Sequence, residues 1–192
     1  MMRWLGRLAA LLAAALLLLG MQWSTPLYDQ MVGPIPVAGQ IGDTVAARKF
    51  TVRIETIQFA RQLHFQAYGK DVTRDTSGLW AVVTATLGAQ ADTTTVTEAF
   101  WEGPTGLLYS HTNRLSGARS LLIGEVLQPG LPRRGRFIFE IREDQARGAT
   151  FVAPNIGLSP LDSIVRIRLG DGGGTLPILD SIDLDSMPGA TP

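Results

Sequence analysis

The chain has no cysteine in its 192 residues. That excludes a disulfide framework, a thiolate metal site, a thiol nucleophile and a lipid-modified cysteine near the N-terminus. Histidine is almost as scarce, with only His64 and His111 to serve as a base near neutral pH. They lie far apart in sequence, and their spacing matches no zinc pattern. A Ser-His-Asp arrangement could be drawn from His111 with Ser110 or Ser116, but the G-x-S-x-G elbow that exposes a nucleophile is missing. Neither charge sign dominates, with 17 basic and 17 acidic residues. The densest basic group, Arg133, Arg134 and Arg136, reads as the solvated edge of a sheet. It falls far short of the footprint that nucleic acid requires. The expectation is therefore a non-enzyme without metal, cofactor or nucleic-acid partner.

What is present begins with MMRWLGRLAALLAAALLLLGMQW. Arg3 and Arg7 precede an apolar run from Leu8 to Leu19, and Trp4 and Trp23 bracket the segment. The positive-inside preference places all that follows on the periplasmic side of a bacterial inner membrane. A secretory signal is one reading, yet Gly20 at the cleavage position would pair with Leu18 where a small residue belongs. The favoured reading is a single transmembrane anchor over residues 1–23. Trp4 to Trp23 spans 20 residues, close to the ~30 Å apolar core at about 1.5 Å per residue. Arg7 would snorkel to the interface, and Gly6, Ala9, Ala10 and Ala13 would form a small-residue face for contacts. Residues 24–41, with Pro26, Pro34 and Pro36, read as a semi-rigid spacer.

Residues 42–170 read as short strands without helical periodicity. KFTVRIETIQF (Lys49–Phe59) alternates and then changes phase at Ile57, which predicts a bulge. Leu79–Leu87 is nearly all apolar, as in a central strand buried on both faces. Thr94–Trp101, Leu107–His111, Ser120–Leu127, Arg136–Ile141 and Ser163–Leu169 follow, separated by turn pairs such as Gly103-Pro104 and Pro129-Gly130. Gln62–Tyr68 is assigned a turn of helix, and Trp101 a place in the core. The fold class expected is all-β: an immunoglobulin-like antiparallel β-sandwich preceded by a single N-terminal transmembrane helix.

Particular residues within this region carry a family likeness. Gly42 precedes the first long strand, and Gly78 leads into Trp80-Ala81-Val82-Val83. Pro129-Gly130 and Gly135 then introduce Phe137-Ile138-Phe139-Glu140-Ile141. The pattern resembles the telokin-like, immunoglobulin-fold extracellular domains of unknown function in bacterial membrane-anchored proteins and lipoproteins. It departs at Gly88-Ala89-Gln90, where that family carries an Asn. The resemblance implies a fold and no chemistry.

Residues 171–192 form an acidic tail with four aspartates and no basic residue. Asp171–Gly174 opens no helix and precedes no lysine, so it is not a phosphate loop. Asp180, Asp183 and Asp185 lack the glycine and distal glutamate of a calcium loop. The tail reads as glycine-tethered, with Leu176, Ile178, Leu179, Ile182 and Leu184 as candidate partner-binding residues. Function is expected to be that of a non-catalytic protein-interaction module, an accessory or structural subunit of a cell-envelope membrane complex. The alternative is a periplasmic domain that binds a small molecule, glycan or peptide.

Overall fold

The computed structural model describes residues 2–24, 33–154, 162–170 and 177–186. The chain divides into two units, residues 1–33 and 34–192. The first contains helix α1 (Met2–Ser24), formed by leucine and alanine with high helix propensity. Among the described residues no helix is long and apolar enough to cross a membrane. The expected membrane-spanning helix is thus not supported. The uninterrupted apolar run, Leu8 to Leu19, is 12 residues, only about 18 Å of helix. Reaching ~30 Å required taking Arg7 and Gln22 into the span. Trp4 and Trp23 are 73% and 92% exposed, and Arg7 is exposed.

Among the described residues the second unit has twelve strands: β1 (Ile35–Gln40), β2 (Thr44–Ala46), β3 (Phe50–Ala67), β4 (Lys70–Ala89), β5 (Thr94–Thr95), β6 (Phe100–Glu102), β7 (Leu108–Ser110), β8 (Val126–Leu127), β9 (Arg133–Ile141), β10 (Thr150–Pro154), β11 (Ser163–Arg168) and β12 (Ile178–Asp183). One sheet runs β1-β11-β10-β6-β7, a second runs β12-β3-β4-β9 with β2 also on β3, and β5 pairs with β8 in a small third sheet. Strands β2 and β12 share one edge of β3, pairing with Thr51–Arg53 and Phe59–His64 in turn, while β4 takes the other edge. The sheets are mixed: β1 pairs with β11, and β12 with β3, in parallel. The wholly antiparallel sandwich expected from sequence is corrected at these two edges. Both parallel pairs join segments distant in sequence, which no local pattern reveals.

Aromatic rings lock the two sheets face to face. Phe59, Phe137 and Phe139 of one sheet meet Trp101 and Phe151 of the other, with centroids 5.0–6.2 Å apart in edge or tilted geometry. Trp101 is fully buried and donates its indole N–H to Gln145 O at 2.9 Å. Odd-numbered residues of β4, from Leu79 to Leu87, face this core. Even-numbered Trp80 and Val82 enter a second cluster on the opposite face with Leu63, Phe65, Leu115, Ile138, Ile182 and Leu184. The central strand is buried on both faces, as its continuous apolar run predicts.

The β3–β4 hairpin turns at Tyr68 and Gly69, both at positive φ, the geometry that matches strand twist. Gln62–Tyr68 is therefore the end of a strand and its turn, and not a turn of helix. Register shifts fall between Ile54 and Thr56, where the phase change predicts a bulge, and again between Ala60 and Gln62. At the second shift a side chain on Gly78 would collide with the carbonyl of Ile141. Gly78→Ala is expected to cost about 2–3 kcal/mol by overpacking, lowering Tm by about 5–10 °C. The exposed neighbour Ser77→Ala is expected to leave Tm nearly unchanged, and thermal unfolding of the pair checks the difference.

The segment assigned as spacer contains β1, which is the outermost strand of its sheet. An edge tolerates Pro36, whose missing N–H breaks no ladder. The tail likewise contains β12, a strand of the sandwich itself.

Candidate functional site

The outer face of the β12-β3-β4-β9 sheet gathers most of the unusual polar chemistry. Alternation puts Trp80, Val82 and Thr84 of β4 on this face, beside Arg136 and Ile138 of β9, with Thr84 and Arg136 paired in register. Arg136 is only 1% exposed. It is not the solvated edge residue expected from sequence. Its neighbour Arg134 does take that role, in an ion pair with Glu55 at 2.7 Å.

The chain's own carboxyl-terminal segment covers this face. Leu184 N–H donates to His64 O at 2.8 Å, continuing the β12 ladder past the strand's end. Ile182 and Leu184 are buried in the second cluster, at 6% and 1% exposure. Arg136 donates through Nη1 to the Leu184 carbonyl and through Nη2 to the Ser186 carbonyl. The segment is held in shape by Asp185 N–H on Asp183 Oδ1 at 2.9 Å and by Ser186 Oγ on Asp183 O at 2.9 Å. Asp185 Oδ2 accepts from Gln66 N–H at 2.6 Å. Burial pushes the Arg136 pKa down, and the charges of Asp183 and Asp185 oppose that shift. The aspartates of the tail thus complement a buried cation. Across the same face Arg114 lies 5.3 Å from the Trp80 ring centroid and bonds Glu140 at 2.8 Å.

The residues singled out from sequence divide clearly. Ile182 and Leu184 dock on the chain's own sheet, Ile178 packs beside the main core, and Leu179 is exposed. Leu176 and the Asp171–Gly174 glycine run lie outside the described residues, and nothing is described of the Arg3 side chain. His64 Nδ1 is 2.8 Å from Thr73 Oγ1, whereas His111 bridges to Phe139 of β9. The structure gives the two histidines separate neighbourhoods. Ser116 Oγ donates to the Asn113 carbonyl. Among the described residues no group of acidic or histidine side chains could hold a metal ion.

Sequence reasoning missed Arg136 as the keystone. One signal was available, since it shares the parity of Ile138 and not that of Phe137 and Phe139, on a strand paired to one buried on both faces.

His111 also gives a pH dependence. Desolvation pushes the His111 pKa below its ordinary value of 6.5, with Glu98 opposing weakly. A neutral histidine that resists charging stabilises the fold fully above the unfolded value. That contribution is lost as pH falls through 6.5 toward the lower folded value. Stability measured in denaturant is expected to drop across that window, and His111→Gln to flatten the drop.

No protein family matches the chain, and no curated protein matches it. Solved structures do. A secreted protein of Mycobacterium tuberculosis, MPT63, superposes with TM-score 0.51 at 14% identity, covering 69% of this chain and 97% of its own. The yjhA protein of Bacillus subtilis gives 0.50 at 12% identity, covering 67% and 99%. An uncharacterized beta-sandwich protein of Clostridium difficile gives 0.47 at 11%, covering 70% and 95%. What is shared is the β-sandwich. At these identities the likeness concerns fold alone. It supports an all-β sandwich domain and does not single out the telokin-like immunoglobulin family.

Proposed function

We propose that the chain is a non-catalytic protein-interaction module, an accessory subunit of a bacterial cell-envelope complex acting on the periplasmic face of the inner membrane. The observation that carries this reading is apolar exposure at both edges of one sheet. Ile35 on β1 is 57% exposed at one edge, and Leu108 on β7 is 57% exposed, beside Leu107, at the other. Open edges with apolar side chains are where an extended segment of a partner adds as a further strand. The amino-terminal basic-then-apolar segment supports the location. Its apolar run of 12 residues suits both an export signal, whose core is about 7–15 residues, and a short membrane tether. The likeness to a protein described as secreted agrees with the same side of the membrane. The telokin-like resemblance belongs to this proposal, supported by the tight approaches that require Gly78 and Gly135.

Co-purification of the full chain from mild detergent tests the reading. A stoichiometric partner is expected, lost in a Leu107→Lys, Leu108→Glu double variant whose Tm is unchanged. A protein that runs alone as a monomer would contradict the subunit role. Intact-mass measurement separates a retained segment from a cleaved one.

The ligand-binding alternative has one observation in its favour. A cavity of about 380 Å³ is walled largely by Ile41, Ile57, Phe59, Trp101, Leu169 and Pro177. A monomer stabilised by a small apolar ligand, with Ile57→Arg abolishing the effect, would favour that reading.

A further inference from the structure

A second cavity, of about 600 Å³, lies on the outer face of the β1-β11-β10-β6-β7 sheet. That volume is in the range of sites that take small ligands. Strand register builds its polar wall. Gln40 of β1, Arg168 of β11 and Thr150 of β10 stand side by side, each in register with the next, and all three line the cavity. Neighbours in such a row lie about 5 Å apart. Arg168 is exposed, and among the described residues its guanidinium has no hydrogen bond or ion pair; nor do the side chains of Gln40 and Thr150. Arg166, one row along the same strand, is already answered by Glu102 at 2.7 Å. The cavity therefore presents one unpaired cation beside a free amide and a free hydroxyl. A planar carboxylate is the group that matches a guanidinium edge most closely.

Two further parts of the lining narrow the ligand. Asp43 accepts from Gln40 N–H through Oδ2 at 2.9 Å, so its carboxylate is fixed at the cavity wall. It would repel a bare polyanion and accept from a hydroxyl. Pro36 and Ala38, both exposed on β1, add apolar surface, which the C–H face of a sugar ring can cover. We infer that this cavity binds a hexuronic acid residue of an acidic glycan. Its carboxylate sits on Arg168, its hydroxyls on Gln40, Thr150 and Asp43, and its C–H face on Pro36 and Ala38. The inference is independent of the partner interaction, whose test reads Leu107 and Leu108, and of the apolar cavity at Ile57 and Trp101.

The test is titration of the full chain in mild detergent with trigalacturonate, read by amide NMR. Maltotriose, a neutral sugar, and tricarballylate, three carboxylates without a ring, are the controls. Saturable shifts are expected at the amides of Gln40, Thr150 and Arg168 with trigalacturonate, and at least tenfold weaker binding of either control. Arg168→Gln, at an exposed position, is expected to keep its Tm and to weaken binding about tenfold or more, the worth of a charge-assisted hydrogen bond. Thr150→Ala should weaken it about 2- to 10-fold. Arg133→Gln, at an exposed position on the other sheet, should leave it unchanged. Maltotriose binding as tightly as trigalacturonate would remove the carboxylate, and tricarballylate doing so would remove the sugar. Full affinity in Arg168→Gln, or an equal loss in Arg133→Gln, would remove the cavity. Any of these results overturns the site.

Discussion

Deleting residues 171–192 is expected to destabilise the sandwich by about 5 kcal/mol or more, enough to leave much of it unfolded or aggregated at 37 °C. The contributions are separable. Ile182 and Leu184 are buried in the second cluster, and each such side chain is worth about 1.5–3 kcal/mol of burial. Their loss also uncovers Leu63, Trp80 and Ile138, which the same cluster contains. Arg136, 1% exposed, loses its two carbonyl acceptors, at about 1.5–3 kcal/mol for a hydrogen bond to a charged group. Set against the ~5–15 kcal/mol of a typical domain, that loss is decisive. Leu184→Ala alone is expected to cost about 2–5 kcal/mol. Leu179→Ala, on an exposed side chain of the same tail segment, should cost little. Urea unfolding of the three proteins checks the order. A truncated chain as stable as the intact one would show that the tail is an appendage.

The second large effect is expected in the main core at Trp101. The ring stands edge-on to Phe59 at 5.8 Å and tilted against Phe139 at 6.1 Å, so it ties the short strand β6 to the opposite sheet. Trp101→Ala leaves a cavity and an unanswered Gln145 carbonyl, at about 3–5 kcal/mol. Trp101→Phe retains most of the packing and loses the indole N–H, at about 1–3 kcal/mol for the orphaned buried acceptor together with the smaller ring. The gap between the two variants measures packing apart from hydrogen bonding. Equal losses would mean that the indole N–H matters more than the ring.

Much of the sandwich is legible in the sequence wherever burial writes a local pattern. Leu79–Leu87 announces a strand covered on both faces because nearly every position is apolar. Phe137–Ile141 shows its inward parity in Phe137, Phe139 and Ile141. The phase change between Ile54 and Ile57 is the trace of a bulge. Gly78 stands where chain approaches chain too closely for a side chain. These features act within a few residues or recur with period two, so sequence displays them directly.

The remainder depends on a turn without its usual residues, or on partners far away in the sequence. Leu63, Phe65 and Ala67 do alternate, but a bulge and a Tyr-Gly turn without the usual Asn or Asp hide the continuing hairpin. Ile35–Gln40 resembles a spacer because Pro36 resembles a spacer residue, and only its pairing with Ser163–Arg168 makes it a strand. The tail misleads most. Asp180, Asp183 and Asp185 look like solvent-facing charge after a glycine run. Asp183 and Asp185 are exposed, yet they also set their charge against Arg136, whose own burial is invisible in the arginine-rich stretch around it. The membrane-spanning reading erred on length, counting Arg7 into the apolar span on the strength of flanking tryptophans.

The docked tail is the claim on which the candidate site, the buried arginine and the second core all rest. Native-state hydrogen exchange of the intact chain, read at the amides of Ile182 and Leu184, tests it most directly. Protection close to that of Val82 in β4 and Ile138 in β9 is the expected result, since the tail and those strands share one cluster. Exchange at the rate of an unstructured peptide at Leu184, with Val82 still protected, would contradict it.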